Sequence, residues 1–363
     1  MAMVDLVDIG FSYFSGNLLD AALGVANDTF SIEHFTLHIP HGQVTVLLGP
    51  SGCGKSTLLK LIAGLTRARE GEILFDGRVM DKVKPGERRI GMVFQDRALY
   101  PHLDAQTNIT SWFFFRKKTP ALDEKKAELF NRTAELLEVK LDHLLRRRPP
   151  RLSGGEQQRV SLGRCITREP SLLLLDEPFS NLDAPLREQY RVSLRKLLHQ
   201  FGVTTVYVTH DQREAMLLAD KLVLITDGRI VQYGTPREVY DNPGNLFVAE
   251  FLNDRTSLPA MNFFPGETIG NDLAGTTVGV RPQDVLLSAR PRAGAGRATV
   301  LAVRALPLEN CCEVTTGFKN VTLTARAENA HAPTPGTEVG ISFRKYFVFN
   351  SISEQLERIG EYP

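Results

Sequence analysis

The stretch QVTVLLGPSGCGKSTLLKLIAGL, residues 43–65, decides the fold. Residues 43–49 form a short apolar run that ends in Gly49, and residues 55–65 place apolar side chains on several sides of a helix. That pattern predicts a buried strand, a tight turn and a buried helix. Gly49, Gly54, Lys55 and Ser56 satisfy G-x-x-x-x-G-K-[ST], and the flanking strand and helix are the context that gives this motif its meaning. Glycines let backbone N–H groups turn inward around phosphate oxygens, and the helix N-terminus adds partial positive charge. The expected phosphate cradle is Gly49, Ser51, Gly52, Cys53, Gly54, Lys55, Ser56 and Thr57. Lys55 reaches the β- and γ-phosphates, and Ser56 holds Mg²⁺. Alone, the loop fits a kinase, a GTPase or a recombinase-like ATPase equally.

Working outward, short apolar runs recur at 171–175, 203–209 and 221–226, separated by helical segments such as 185–200. Strands alternating with helices argue for an α/β core around a largely parallel sheet. Residues 97–158 differ: DEKKAELFNRTAELLEV has helical patterning, and RRRPP stops a helix at its prolines. This segment reads as a helical subdomain inserted in the core. After residue 245 the runs ATVLAVRAL, NVTLTARA and TEVGISFRKYFVF are of β type, with Gly, Pro and Asn between them. The chain therefore divides into an α/β domain, 1–245, and an all-β domain resembling an oligonucleotide-binding barrel, 246–363.

Forty-three Lys and Arg against 42 Asp and Glu give a formal net charge of +1. Such a balance gives no global reason to expect nucleic acid or anionic lipid as a partner. The β segment also lacks the basic stripe and interleaved aromatics of a nucleic-acid module. No apolar run approaches the roughly 18 residues of a membrane-spanning helix, and MAMVDLVDIG lacks the features of a signal peptide. A cytosolic chain is expected, with any membrane role supplied by partner subunits. Four cysteines, two of them the adjacent Cys311 and Cys312, read as free thiols.

LLLLDEP, residues 172–178, is a buried strand ending in two acids. Asp176 is placed to hold Mg²⁺ through water, and Glu177 to orient or deprotonate the attacking water. Gln95 after IGMVF and His210 after VTTVYVT are polar residues at strand ends, either of which can sense a γ-phosphate. A second glycine-rich loop, LSGGEQQRV at 152–160, stands about a hundred residues beyond the first. Ser153 and Glu156 form an S-x-x-E capping box there, and the small residues Gly154 and Gly155 before a helix also make an anion site.

The ordered series resembles the ATP-binding cassette family. It runs GPSGCGKST, VFQD with Gln95, LSGGEQQRV, LLLLDEP, SNLD with Asp183, and VTHD with His210, over residues 43–211. ALYPHL at 98–103, MNFFPG at 261–266 and VGVRPQDV at 278–285 narrow the resemblance to the ATPase subunits of bacterial carbohydrate importers. Two departures are Glu156, where the family often has Gln, and a long link after Tyr13 and Phe14. The resemblance implies ATP and Mg²⁺ as cofactors, with Glu177, His210 and Gln95 catalytic and Ser56, Gln95 and Asp176 around the metal. It also implies that Tyr13, with Phe14 as the alternative, stacks on adenine. Two cassettes pair head to tail, so that Ser153, Gly154, Gly155 and Asp183 serve the nucleotide held by the partner. The implied partners are a second ATPase subunit, identical or paralogous, two transmembrane permease subunits that meet ALYPHL, and indirectly an extracytoplasmic solute-binding protein. The implied location is peripheral, at the cytoplasmic face of the inner membrane. A carbohydrate or polyol derivative is the expected solute; iron, a polyamine or an inorganic anion is the alternative. A soluble non-transport cassette is the reading from another class. It is disfavoured because only about sixty residues separate Gln95 from Ser153, too few for a long coiled-coil insertion.

Overall fold

The computed structural model describes residues 2–14, 28–96, 98–117, 119–137, 142–180, 184–253, 260–289, 296–306, 310–329 and 332–362. They form two compact units, Met1–Pro236 and Arg237–Pro363.

In the first unit, β1 (Val4–Phe14), β2 (Asp28–Ile39), β4 (Glu70–Phe75) and β5 (Arg78–Val79) make an antiparallel sheet in the order β2-β1-β4-β5. A second sheet has the order β10-β9-β3-β8-β7-β6. Its strands are β3 (Val44–Leu48), β6 (Ile90–Val93), β7 (Leu172–Asp176), β8 (Thr204–Thr209), β9 (Lys221–Thr226) and β10 (Arg229–Gly234). All its pairings are parallel except β9 with β10. The interior strands are buried along nearly every residue, which is why they read as unbroken apolar runs.

Helix α1 (Lys55–Ala63) follows β3 and packs between the two sheets. Leu58, Leu59, Leu61 and Ile62 are at most 1% exposed and share one core with Leu6, Ile9 and Leu37 of the first sheet and Leu47, Val206 and Ile225 of the second. Burial on several sides explains why the helix lacks a polar face. Gly64 ends it with φ +73°, a left-handed conformation that suits glycine at this position.

The segment 97–158 contains α2 (Ala105–Ile109), α3 (Pro120–Leu136), α4 (Asp142–Leu145) and the first turn of α5 (Gly154–Ile166), which runs on past it. Asp104 caps α2 and Thr119 caps α3 through their side-chain oxygens. Gly163 lets α5 close on its neighbours: an added Cβ would sit 3.0 Å from Leu137 and 3.1 Å from Ile109. After β7 come α6 (Ala184–Phe201) and, beyond β8, α7 (Gln212–Leu218).

The second unit carries helices α8 (Pro236–Asp241) and α9 (Leu246–Phe251) and an antiparallel sheet. Among the described residues the sheet has eight strands, β11 (Asn262–Pro265), β12 (Thr276–Val280), β13 (Val285–Ser288), β14 (Gly296–Leu306), β15 (Cys311–Phe318), β16 (Val321–Glu328), β17 (Glu338–Asn350) and β18 (Leu356–Tyr362). The long β17 pairs along its length with β12, β13, β14 and β18, which makes the all-β unit barrel-like. Phe318, Phe343, Val314 and Ile341 fill its core. The contacts divide the chain after Pro236 rather than after residue 245. Main-chain bonds from Leu246 N to Glu354 O and from Leu356 N to Gly244 O fasten the intervening segment to the second unit. No described helix is long and apolar enough to cross a membrane.

Candidate active site

The parallel register brings the chemistry together. Leu48 pairs with Thr209, Val93 with Leu175 and Asp176 with Val208, so the chain leaves β3, β6, β7 and β8 at one edge of the sheet. Gly49, Gln95, Asp176, Glu177 and His210 all follow or end these strands, and the carboxyl edge of a parallel sheet is where α/β folds bind ligands.

The phosphate loop is shaped by three glycines that do different work. A Cβ on Gly49 would lie 2.1 Å from the Ile225 carbonyl oxygen, so only glycine lets the turn press against β9. Gly52 and Gly54 have φ +87° and +104°. Lys55 is 5% exposed and donates from Nζ to the carbonyls of Gly49 at 2.9 Å and Pro50 at 2.8 Å, which holds its ammonium inside the loop. Cys53 is also buried, and burial pushes its thiol up against the opposing pull of Lys55. Its side chain therefore packs under the loop, leaving the backbone as what it offers a ligand. Ser51 and Gly52 are exposed, and Thr57 is buried in the first turn of α1.

The start of α1 has no side-chain cap and no acid in its first turn. Its leading N–H groups are thus without the side-chain acceptor that most helices provide, which suits the oxygens of a polyphosphate. Helix α5, which opens the second glycine loop, differs. Ser153 Oγ accepts from Glu156 N at 3.3 Å, and Glu156 Oε2 accepts from Ser153 N at 2.6 Å. Gly155 faces a further constraint, since an added Cβ would lie 2.1 Å from the hydroxyl of Tyr190 on α6.

Beside Lys55, Ser56 Oγ donates to Asp176 Oδ1 at 2.9 Å. Burial raises the Asp176 carboxyl above its ordinary range, with the Ser56 bond opposing and the Glu177 charge adding to the rise. This adjacent hydroxyl and carboxylate are the hard oxygen donors that Mg²⁺ takes. Glu177 has φ +42°, a conformation disfavoured for a side-chain-bearing residue, and is held by its N–H to the Val208 carbonyl at 3.0 Å. His210 Nδ1 lies 2.9 Å from Glu177 Oε1. The His210 side chain is 56% exposed against 21% for Glu177, so the ring presents its far edge to the outside. Gln95 lies exposed just past β6.

Tyr13 is 40% exposed at the end of β1, edge-on to Phe11 and 6.4 Å from the Phe30 ring. Phe30 was not anticipated, yet it stands closer to the phosphate loop: a Cβ on Gly54 would meet its Cζ at 2.5 Å. Its signal lay only in being an aromatic that re-enters β2 after the long link, opposite Tyr13 in register. Asp183 lies outside the described residues, as does the Phe14 side chain. The ALYPHL stretch leaves Tyr100 40% exposed and is held from behind by Asn108, which is fully buried. Asn108 Nδ2 donates to the carbonyls of Tyr100, Leu103 and Asp104 at 3.0–3.1 Å, and its Oδ1 accepts from Tyr100 N at 2.8 Å.

A phosphate loop between a parallel strand and a buried helix, faced by Asp176 and Glu177 from a neighbouring strand, defines a P-loop nucleoside triphosphatase. Comparison with known proteins narrows the class. The profile of the family described as ABC transporter matches residues 32–180. The sn-glycerol-3-phosphate import ATP-binding protein of Psychromonas ingrahamii is 46% identical over 268 residues, 72% of this chain and 69% of the relative. The xylose/arabinose import ATP-binding protein of Haloferax volcanii is 42% identical over 283 residues, 72% of each chain. A solved dimeric ATP-binding cassette in a post-hydrolysis state, bound to ADP and Pi, is 29% identical with a TM-score of 0.54, covering 64% of this chain and 99% of that one. The chain belongs to the ATP-binding cassette (ABC) transporter family, as one of its ATPases.

Proposed function

We propose that the chain hydrolyses ATP as one member of a pair of cassettes and powers import of a carbohydrate or glycerol derivative through separate membrane subunits. The observation that carries this reading is the pairing of Ser56 with Asp176 and of His210 with Glu177, each at 2.9 Å, at the sheet edge where Lys55 and the uncapped α1 begin.

Lys55 and the α1 N–H groups bind and orient the β- and γ-phosphates. Ser56 and Asp176 would hold Mg²⁺, with Gln95 just past β6 as a further oxygen donor; the ion would supply positive charge to offset that of the phosphates. Glu177 aligns the attacking water and accepts its proton, and its left-handed backbone aims the carboxylate out of the strand. His210 holds the Glu177 carboxylate by donating from Nδ1, which leaves the exposed Nε2 edge of the ring as the part that meets the γ-phosphate. Tyr13, with Phe30 opposite, offers an aromatic surface for adenine.

The second glycine loop acts on the partner's nucleotide. Its helix is capped by its own Ser153 and Glu156, so Gly154 and Gly155 N–H groups and the Ser153 hydroxyl proton are what it has to give. Asp183 joins it across the pair. The dimeric state of the related cassette supports this pairing. ATP then favours the closed pair over the open one, and hydrolysis releases it. The permease subunits dock on ALYPHL, the chain sits peripherally at the cytoplasmic face of the membrane, and the second unit serves regulation or dimer contact. That these relatives are import ATP-binding proteins for sn-glycerol-3-phosphate and for xylose/arabinose supports the solute class.

The test is uptake. A strain lacking this chain loses ATP-dependent accumulation of one carbohydrate or glycerol phosphate, and regains it with the parent chain but not with Lys55→Ala. Unchanged accumulation across such solutes contradicts the solute class.

A further inference from the structure

A buried ionic cluster with no part in the chemistry above stands directly behind His210. Its cation is Arg191, on α6, which is 5% exposed. Arg191 donates from Nη2 to Asp211 Oδ2 and, at 3.5 Å, to Glu214 Oε1, while Nη1 reaches Glu188 at 2.9 Å. Glu214, 4% exposed on α7, accepts from the hydroxyls of Tyr207 and Thr209 at 2.8 Å each through Oε2. Asp211 caps α7 by accepting from Glu214 N at 3.0 Å, and its own N–H donates to Thr209 Oγ1 at 2.9 Å.

Thr209 and Asp211, the residues on either side of His210, are therefore tied to one cluster by four separate bonds, whereas among the described residues the His210 ring is held by Glu177 alone. The two carboxylates belong to the β8–α7 junction, and the cation that joins them comes from α6, about twenty residues earlier in the chain. Burial works to lower the Arg191 guanidinium and is outweighed by Asp211 and Glu214, while burial raises the Glu214 carboxyl. A buried ion cluster contributes little net stability compared with apolar side chains of the same volume, because desolvation cancels most of the attraction. What it supplies is a fixed geometry. A swing of residues 209–211 away from α6 and α7 breaks the bonds that Thr209 and Asp211 make to Glu214 and that Asp211 makes to Arg191.

We propose that Arg191 is a positioning residue for His210: by clamping Asp211 and Glu214 it fixes the backbone from which the imidazole reaches Glu177 and the γ-phosphate. The inference rests on the role given to His210 above. Arg191 is buried with its guanidinium committed to three carboxylates, so its loss should lower turnover without weakening ATP binding.

The test is Arg191→Met/Glu214→Gln in the whole 363-residue chain, which removes both charges together so that neither is left buried alone. Arg191→Lys, which keeps a cation in the cluster, is measured in parallel as the variant surest to fold. For the pair variant kcat should fall about tenfold to a hundredfold, the scale of losing a near-attack geometry. KM for ATP and bound nucleotide per chain should stay within about twofold, and Arg191→Lys should show the same split to a smaller extent. A kcat equal to the parent's in either soluble variant overturns the proposal. Bound nucleotide that falls in step with kcat also overturns it, because that is the mark of a merely structural residue. His210→Ala separates the two levels: normal turnover there removes the role of His210 itself, whereas lost turnover there with an active Arg191 variant removes only the positioning claim.

Discussion

Replacing Gly155 by alanine tests how the second glycine loop is built. The added Cβ would lie 2.1 Å from Tyr190 Oη and 2.2 Å from its Cε2 and Cζ, so the ring must retreat by more than an ångström to reach ordinary contact. Retreat is resisted because the ring is packed at 6.5 Å from Phe179 and lies 5.0 Å beneath the Arg159 guanidinium. Overpacking of this kind costs about 1–3 kcal/mol. Alanine in place of a helical glycine returns up to about 1 kcal/mol through propensity. The clash wins, and Gly155→Ala should destabilise the chain by about 1–2 kcal/mol net, read as a lowered urea midpoint at unchanged slope. Tyr190→Ala removes the obstacle, so in that background Gly155→Ala should become neutral or stabilising, a coupling that a double-mutant cycle isolates. Gly155→Ala at parental stability, or the same loss with and without Tyr190, refutes the packing account. The glycine would then be required only by what binds the loop.

Three further outcomes follow from the same geometry. Asp176 has a carboxyl raised by burial, so its protonated form favours the fold and that contribution is lost as pH rises through the raised value. Asp176→Asn, which cannot ionise, should therefore gain stability over the parent as pH rises from the ordinary aspartate range toward neutrality; a pH-independent difference in unfolding free energy contradicts this. Cys165 is fully buried with its thiol pushed up to about 11, and Cys311 is half-buried, so a thiol reagent at pH 8 should label Cys311 in the native chain and reach Cys165 only after unfolding. Equal native labelling rates would show that α5 does not shield Cys165. A chain ending at Pro236 should remain soluble and bind ATP, and an insoluble product counts against the division of the units there.

How much of this was legible beforehand depended on whether the cause was local. The phosphate loop, the strand before it and the helix after it are dictated by neighbouring residues, and the interior strands announced themselves because burial on both faces leaves apolar runs. The antiparallel sheet of β1, β2 and β4 was not legible, because β1 finds β4 only across some sixty residues and its own run is broken by irregular pairing at Asp8. The same limit hid Phe30, whose approach to Gly54 depends on that sheet lying against α1. Arg191 and Glu214 carry no signal in the sequence beyond their charge, and only the fold puts them out of water. Gly155 was read as a turn residue free to meet a phosphate; its contact with Tyr190 is a reason for glycine that no neighbour in the chain reveals.

The claim at the centre of this account is that the two glycine loops of one chain serve two different ATP molecules. The direct measurement is the mass and bound nucleotide of Glu177→Gln with and without Ser153→Arg, each in ATP and Mg²⁺. Glu177→Gln alone should retain ATP without turnover and run at twice the chain mass. Adding Ser153→Arg should return it to the chain mass with ATP still bound through Lys55. Loss of bound ATP on adding Ser153→Arg, as complete as that in Lys55→Ala, would place both loops on the same nucleotide and contradict the account.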